Sequence, residues 1–222
     1  MSIPVITIDG PSGSGKGSIA QRVATALGFH LLDSGALYRL TALAASKKGV
    51  SMQAEAELAT LAAELEVEFV AQAEGEAQVL LAGEEVSLAI REEQCGMNAS
   101  KIAALPQVRA ALLQRQRNFC QAPGLVADGR DMGSVVFPQA VVKVFLTASA
   151  RERANRRFLQ LKARGVEVSL RALIKDIEER DARDINRSVA PLRPADDAVL
   201  LDSTAMSIEA VETKVLSLLP EF

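Results

Sequence analysis

Histidine and cysteine are almost missing from this sequence: among 222 residues there are one His and two Cys. Cys95 and Cys120 have no metal-ligand spacing and His30 has no partner motif. This argues against a structural zinc site and leaves His30 a structural residue. Both thiols fit a reducing, cytoplasmic setting. An excess of positive charge is lacking too. The 25 Lys and Arg against 28 Asp and Glu give a net charge of −3, the opposite of what a general nucleic-acid binder needs. No apolar stretch is long enough to span a membrane, and Met1-Ser2-Ile3-Pro4 lacks the basic start and apolar core of a signal peptide. Internal repeats and low-complexity linkers are absent as well. What remains is 49% hydrophobic residues, enough for a substantial core, in a length that suits one large domain with small additions.

Against that background one stretch stands out, Gly10-Pro11-Ser12-Gly13-Ser14-Gly15-Lys16-Gly17-Ser18. It follows Val5-Ile6-Thr7-Ile8-Asp9, an apolar, β-branched run that reads as a buried strand. It precedes Ile19, Val23 and Leu27, which recur at helical spacing. Strand, glycine-rich loop, helix is the context of a phosphate-binding loop. The glycines let main-chain N–H groups approach an anion, and the helix aims its positive end at the same place. Lys16 adds a point charge over the outer phosphates. An ordinary glycine turn capping a helix would need neither the lysine nor both flanking elements. One departure is plain: where Ser or Thr commonly serves Mg²⁺ stands Gly17, and the hydroxyl comes one residue later at Ser18.

Further on, Gly28 ends the first helix and Phe29-His30-Leu31-Leu32 reads as a second strand. It delivers Asp33-Ser34-Gly35 to a loop before a helix opening at Ala36 that carries Arg39. Ser34 and Arg39 thus lie near a strand's C-terminal end, where ligands sit in open α/β sheets. A helix is expected from Gln53 to Leu65. Val67–Val70 and Gln78–Leu81 then read as strands around a Glu74-Gly75 turn, with Gly83-Glu84-Glu85 as a second turn. Asn98-Ala99-Ser100 precedes Pro106, which is well placed as a first helical residue. The helix through Arg109 and Arg117 should put most of its basic residues on a solvated face.

Gly124 to Ala127 returns to buried-strand character and delivers Asp128-Gly129-Arg130-Asp131. A carboxylate at such a strand end is where phosphate-loop enzymes hold their Mg²⁺ shell, which makes Asp128 a candidate beside Ser18. Val141 to Leu146 and Val199 to Asp202 read as further strands. Ser149 and Glu152 form a capping box for a helix ending at Gly165. That helix and the next carry Arg151, Arg153, Arg156, Arg157, Arg164, Arg171, Arg180, Arg183 and Arg187. In Arg180-Asp181-Ala182-Arg183-Asp184-Ile185-Asn186-Arg187 the spacing puts arginines on one helical face. Beside a phosphate loop such a cluster suits a cover that neutralises transferring phosphates. Ser207 to Leu219 should pack on the sheet as an amphipathic helix. Strands alternating with helices imply an α/β fold with a parallel central sheet in three layers. Two excursions leave it, and the arrangement suggests a nucleoside monophosphate kinase.

The stretches ITIDGPSGSGKGS, LLDSGALYR, NAS before a Pro-containing helix, ADGRDMGSVVFP and ERDARDINRSVAPL together resemble the bacterial cytidylate kinases, in order and over nearly the whole chain. That family also has Gly after the loop lysine and a hydroxyl residue next. The resemblance implies one P-loop kinase domain: core about 1–36, 107–148 and 188–222, an acceptor-binding insert about 37–106 and a helical lid about 149–187. It implies ATP as phosphoryl donor on Gly10, Pro11, Ser12, Gly13, Ser14, Gly15, Lys16, Gly17 and Ser18, with Mg²⁺. Arg39 and Arg130, with Ser34, would hold the acceptor phosphate. Ser100, Arg109 and Asp131 would read the cytosine edge, and Asp184 and Arg187 would contact the sugar and nearby phosphate. Lys16, Arg130, Arg180, Arg183 and Arg187 would serve the phosphates being joined. The implied reaction is ATP with CMP or dCMP giving ADP with CDP or dCDP. Two other readings stay open: a kinase for another acceptor such as UMP, or a P-loop nucleotide-binding regulator. A cytoplasmic monomer acting on small nucleotides, with neither nucleic acid nor membrane as partner, is the expectation.

Overall fold

A computed structural model describes residues 3–70, 78–163 and 165–220. The expected Glu74-Gly75 turn and Arg164 lie outside the described residues. The elements begin β1 (Val5–Asp9), α1 (Lys16–Leu27), β2 (His30–Asp33), α2 (Ser34–Lys47) and α3 (Glu55–Ala63). Next come β3 (Val67–Val70), β4 (Gln78–Leu81), β5 (Glu84–Glu85), α4 (Glu93–Ile102) and α5 (Pro106–Arg117). The chain ends with β6 (Leu125–Gly129), β7 (Val142–Thr147), α6 (Ala150–Ala163), α7 (Leu170–Asn186), β8 (Val199–Asp202) and α8 (Ile208–Leu216). The chain gathers into two compact units, Met1–Asp33 with Gln116–Phe222, and Ser34–Arg115.

The first unit is built on a five-stranded sheet in the order β2-β6-β1-β7-β8, parallel throughout. Parallel strands are buried on both faces, which is why β1 and β6 are mostly apolar and are buried along their length. Ile6 and Ile8 of β1, Val126, Val144 and Leu146 meet Ile19 and Val23 of α1 and Val211 and Val215 of α8 in one apolar cluster. Each fully buried Ile or Leu there contributes roughly 1.5–3 kcal/mol. The alternate residues of β1, Thr7 and Asp9, belong to the opposite face. There the π-helical turn Met132–Val136 packs so closely that a Cβ on Gly133 would stand 2.8 Å from Thr7 Oγ1. Because the strands share one direction, their C-terminal ends form one edge. The register pairs Asp33 with Asp128, Asp9 with Gly129 and Thr147 with Asp202. The central strand feeds the glycine loop straight into α1.

The second unit pairs helices α2 to α5 with a small antiparallel sheet, β3-β4-β5. Several details depart from the sequence reading. Ser34 is the first residue of α2 and is buried, because β2 passes into the helix without an intervening loop. Glu84–Glu85 is a two-residue strand paired to β4, with the turn confined to Ala82 and Gly83, both at positive φ. Asn98-Ala99-Ser100 lies inside α4. On α5, Arg109 is buried, against the expectation of a solvated basic face, while Arg117 is exposed. In the first unit α7 stops at Asn186, so Arg187 has left the helix and does not share its face. The Ser149 cap is half of a capping box. Its Oγ accepts from Glu152 N at 3.2 Å, but Ser149 N donates to Thr204 Oγ1 at 2.9 Å, and the Glu152 carboxylate turns to Arg156 instead. Among the described residues no helix is long and apolar enough to cross a membrane. Cys95 is buried, Cys120 half-buried, and both are free thiols.

Candidate functional site

The glycine loop owes its path to the strand beside it. A side chain at Gly10 would place its Cβ 2.0 Å from the Leu146 carbonyl oxygen, so only glycine lets β1 turn there. Gly15, at φ 90, starts α1 without any side-chain cap, and no acidic residue occupies the first turn. The amide groups at this helix start therefore keep an unopposed positive end, the arrangement that binds phosphate. Lys16 folds back over the loop and donates to the Pro11 carbonyl at 3.2 Å. Its Nζ lies 3.9 Å from Asp128 Oδ1, too far for a hydrogen bond but close enough for an ion pair. Burial, with the Arg130 charge behind it, pulls Lys16 down to about 8. Burial likewise pushes the Asp128 carboxyl up to about 7, against the attraction of Lys16. Among the described residues, Asp128 Oδ1 and Ser14 Oγ are both buried without a hydrogen-bond partner. Gly17 explains its own departure from the common motif: a Cβ there would stand 3.0 Å from Asp128 Oδ2.

Beside the loop opens a cavity of about 370 Å³, lined in part by Gly15, Leu146, Arg156, Arg157, Met206 and Val211. Two buried or half-buried arginines of α6 tie its walls together. Arg153 donates from Nε to Ala148 O at 2.8 Å and from its terminal nitrogens to Ser12 O and to both Asp181 oxygens. Arg156 donates to Ser14 O at 3.3 Å and to Ser203 O at 2.7 Å. The glycine loop, the start of α6 and the segment after β8 thereby become one structure with a basic, partly apolar recess.

On the other side of Asp128 the same strand end carries a second charged cluster. Arg130 Nε donates to Asp184 Oδ2 at 2.9 Å. Burial would lower the arginine and raise the carboxyl, but mutual attraction wins at both. Arg130 is held up, and Asp184 is held below the usual carboxylate range. Arg187 approaches Asp131 Oδ1 at 3.7 Å and also donates to the Ala190 carbonyl, and both Asp131 and Arg187 are buried. Arg180 contributes positive charge to Lys16 and to Asp184. Arg183 is turned along its helix, donating to Glu179 O at 3.3 Å. Loop lysine, Asp128, Arg130, Asp131, Asp184 and Arg187 are therefore one continuous charged tract. Arg180 adds to its field, while Arg183 bonds along its own helix.

The remaining expected site residues belong to the second unit. Arg39 of α2 donates to the Ile90 carbonyl at 2.7 Å and lies across α4 where Gly96 leaves room, a Cβ there standing 3.2 Å from its terminal nitrogens. Arg109 of α5 reaches Tyr38 Oη and Ala103 O, both at 3.4 Å. Ser34 and Ser100 are buried, and Ser100 Oγ has no hydrogen-bond partner among the described residues. A buried hydroxyl left without a partner among the described residues is costly unless something polar completes it.

A family model described as cytidylate kinase matches residues 6–221. The chain belongs to the cytidylate kinase family. A cytidylate kinase of Pseudomonas paraeruginosa is 61% identical over 216 residues, covering 97% of this chain and 94% of that protein. One from Photobacterium profundum is 60% identical over 215 residues, covering 96% and 93%. One from Aeromonas hydrophila is 60% identical over 214 residues, covering 96% and 93%. Membership makes the chain a kinase with a nucleotide-binding loop. Sequence reasoning missed three parts of the site. Arg153 and Arg156 stood in a row of arginines with nothing to separate them from solvated ones. Ser203 and Met206 carry no motif at all. Asp9 read only as the end of a strand.

Proposed function

We propose that this chain transfers the γ-phosphoryl group of ATP to CMP or dCMP, giving ADP and CDP or dCDP. The observation that carries the reading is the continuous charged tract from Lys16 through Asp128 to Arg130, Asp131, Asp184 and Arg187, starting at a helix N-terminus built for phosphate. Family membership supports the choice of a cytidine acceptor.

In this reading Gly10 to Ser18 holds the donor phosphates, and the recess beside Arg156 and Met206 takes the donor's base. Lys16, Arg130 and Arg187, with Arg180 and Arg183 from the lid helix, neutralise the phosphates being joined. Ser34, Arg39, Ser100 and Arg109 belong with Asp131 and Asp184 to the acceptor nucleotide. No catalytic histidine or cysteine is required. A phosphate monoester's second pKa is about 6, so the attacking oxygen is already an anion at neutral pH. The difficult task is bringing two polyanions into line, and fixed positive charges perform it by positioning and charge neutralisation. Closing the lid would exclude water, which otherwise accepts the phosphoryl group. Cytosine presents an amino donor beside two acceptors. A carboxylate such as Asp131 rewards that donor and is left unpaired against uracil's carbonyl.

Mg²⁺ fits the residues present. Asp128 Oδ1 is a buried carboxylate oxygen without a hydrogen-bond partner, the hard donor this ion takes, and Ser18 lies on the exposed side of the adjoining turn. Among the described residues no group of three or more His, Cys, Asp or Glu is gathered for a metal. Mg²⁺ characteristically keeps several waters and needs only one or two carboxylates. Asp128 and Ser18 would hold it, through water in part, and it would offset charge between the donor's outer phosphates. The same reading takes the protein to be a cytoplasmic monomer that binds small nucleotides and neither nucleic acid nor membrane.

The test is ADP release with CMP, dCMP, UMP, AMP, GMP or no acceptor. Stimulation confined to the cytidine nucleotides is expected. Equal or better stimulation by UMP would reassign the acceptor, and release that ignores every acceptor would make the protein a nucleotide-hydrolysing regulator.

A further inference from the structure

A helical turn usually has its first N–H groups satisfied by the side chain at its own cap position. The π-helical turn Met132–Val136 does not follow that pattern. Asp131 occupies its cap position at φ −150, ψ 25, and makes no side-chain cap bond to the turn. Its carboxylate is paired instead with Arg187. The capping is done from another strand: Asp9 Oδ1 accepts from Met132 N at 2.8 Å, and Asp9 Oδ2 accepts from Gly133 N at 2.8 Å. Both oxygens of one carboxylate are thus spent on two successive amides. Asp9 is buried, and burial holds its carboxyl up at about 6 even though both amides draw it down. Such a burial cost is unusual for a residue whose work a serine at position 131 could do. The turn itself has no room to drift toward β1, since a Cβ on Gly133 would meet Thr7 Oγ1 at 2.8 Å and Lys143 Cδ at 3.1 Å.

We propose that Asp9 is a positioning residue for the acceptor nucleotide: by capping the turn after Asp131 it releases the Asp131 carboxylate to face Arg187 and fixes the Arg130-Asp131 pair against the strand that feeds the phosphate loop. The inference rests on the acceptor assignment made above. It adds a residue that touches no substrate. Loss of Asp9 loosens the acceptor side first, while the loop from Gly10 onward keeps its own anchors at Arg153 and Arg156.

Asp9→Asn, nearly the same shape, keeps one acceptor and presents an amide to the other N–H. Losing an internal hydrogen bond to a charged group lowers the population of the capped, binding-competent turn by about ten-fold or more. The CMP KM of this variant should rise by about that factor while the ATP KM stays within about three-fold. Amide hydrogen exchange read by NMR should accelerate at Met132 and Gly133 and stay slow at Val126 and Ala127. Gly133→Ala leaves Asp9 intact and lifts the turn off Thr7, so it should show the same split even where Asp9→Asn folds poorly. An unchanged CMP KM in either folded variant, or an equal rise in both KM values, would overturn the proposal. So would rapid exchange of the Met132 and Gly133 amides in the unaltered protein. The two readings fail separately: no CMP-stimulated ADP release by the unaltered protein rejects the acceptor assignment, whereas the exchange rates report on Asp9 without any substrate.

Discussion

Two buried ion pairs stand side by side at the C-terminal edge of the parallel sheet, and they behave oppositely. Lys16 and Asp128 are 3.9 Å apart without a hydrogen bond, and burial drives both toward neutrality. Arg130 and Asp184 share a 2.9 Å hydrogen bond, and each holds the other in its charged form. The first pair is unfinished in the free protein. In the proposed reading, phosphate beside Lys16 and a cation beside Asp128 would complete it. The second is complete already, and Asp131 and Arg187 form a further pair beside it. Catalysis of phosphoryl transfer needs both kinds: charges held ready for the ligand, and a frame that does not move when it arrives.

The largest effect that would break this contrast is in the loop. Lys16→Ala should lower kcat by about a thousand-fold, on the scale seen when a preorganised charge stabiliser is removed. Circular dichroism and the melting temperature should remain close to those of the unaltered protein. Near-normal turnover in that folded variant would remove Lys16 from the reaction. The two aspartates give a sharper division. Asp184→Ala strands a buried Arg130 and should cost about 3 kcal/mol in urea unfolding. Asp128→Asn removes a carboxylate that the folded state already disfavours, so stability should hold or rise while activity falls. Equal losses for both variants would erase the distinction between the pairs.

The phosphate-loop part of the candidate site was legible in the sequence and much of the charged cluster beyond it was not, for a physical reason. Nine consecutive residues, Gly10 to Ser18, carry the loop, its charge and its helix start, so local spacing alone reveals them. The parallel sheet was likewise readable from the apolar runs of β1, β6 and β7. By contrast, α4 has Gly96, Asn98 and Ser100 in its interior, poor helix formers that hid a helix stabilised by packing against α2. By sequence spacing Arg187 continues the helical face of Arg183. No Gly or Pro marks the stop at Asn186, and Arg187 is drawn out toward Asp131 and the Ala190 carbonyl. Arg153 and Asp9 owe their importance to partners 28 and 123 residues away, which no local pattern encodes.

Smaller effects sharpen the comparison further. Asp131→Ala should reduce discrimination of CMP over UMP by about ten-fold, measured as a ratio of kcat/KM values. An unchanged ratio would take Asp131 out of the base site. The pH dependence of stability follows from the unfinished pair and from Asp9. Their carboxyls sit near 7 and 6 in the folded protein against 3.8 unfolded, so the folded state binds more protons between about pH 4 and 7. That part of the stability is present at low pH and is lost as pH rises through 6 and 7. Lys16, pulled from 10.5 to about 8, adds the converse: stability climbs as pH rises from about 8 toward 10.5. Asp184 opposes the carboxyls only in acid, since its contribution is lost as pH falls below the ordinary carboxylate range. Ligand-free protein should melt about 3 °C higher at about pH 5.5 than at about pH 7.5. Asp128→Asn should flatten that difference, and a variant with the full slope would put the titration elsewhere.

The most direct measurement follows the transferred group itself. ATP labelled in the γ-phosphoryl group is incubated with Mg²⁺, CMP and the protein, and the nucleotides are separated. Label is predicted in CDP, at a rate that matches ADP formation and depends on Lys16. Label found only in inorganic phosphate, with CMP unchanged, would contradict the account.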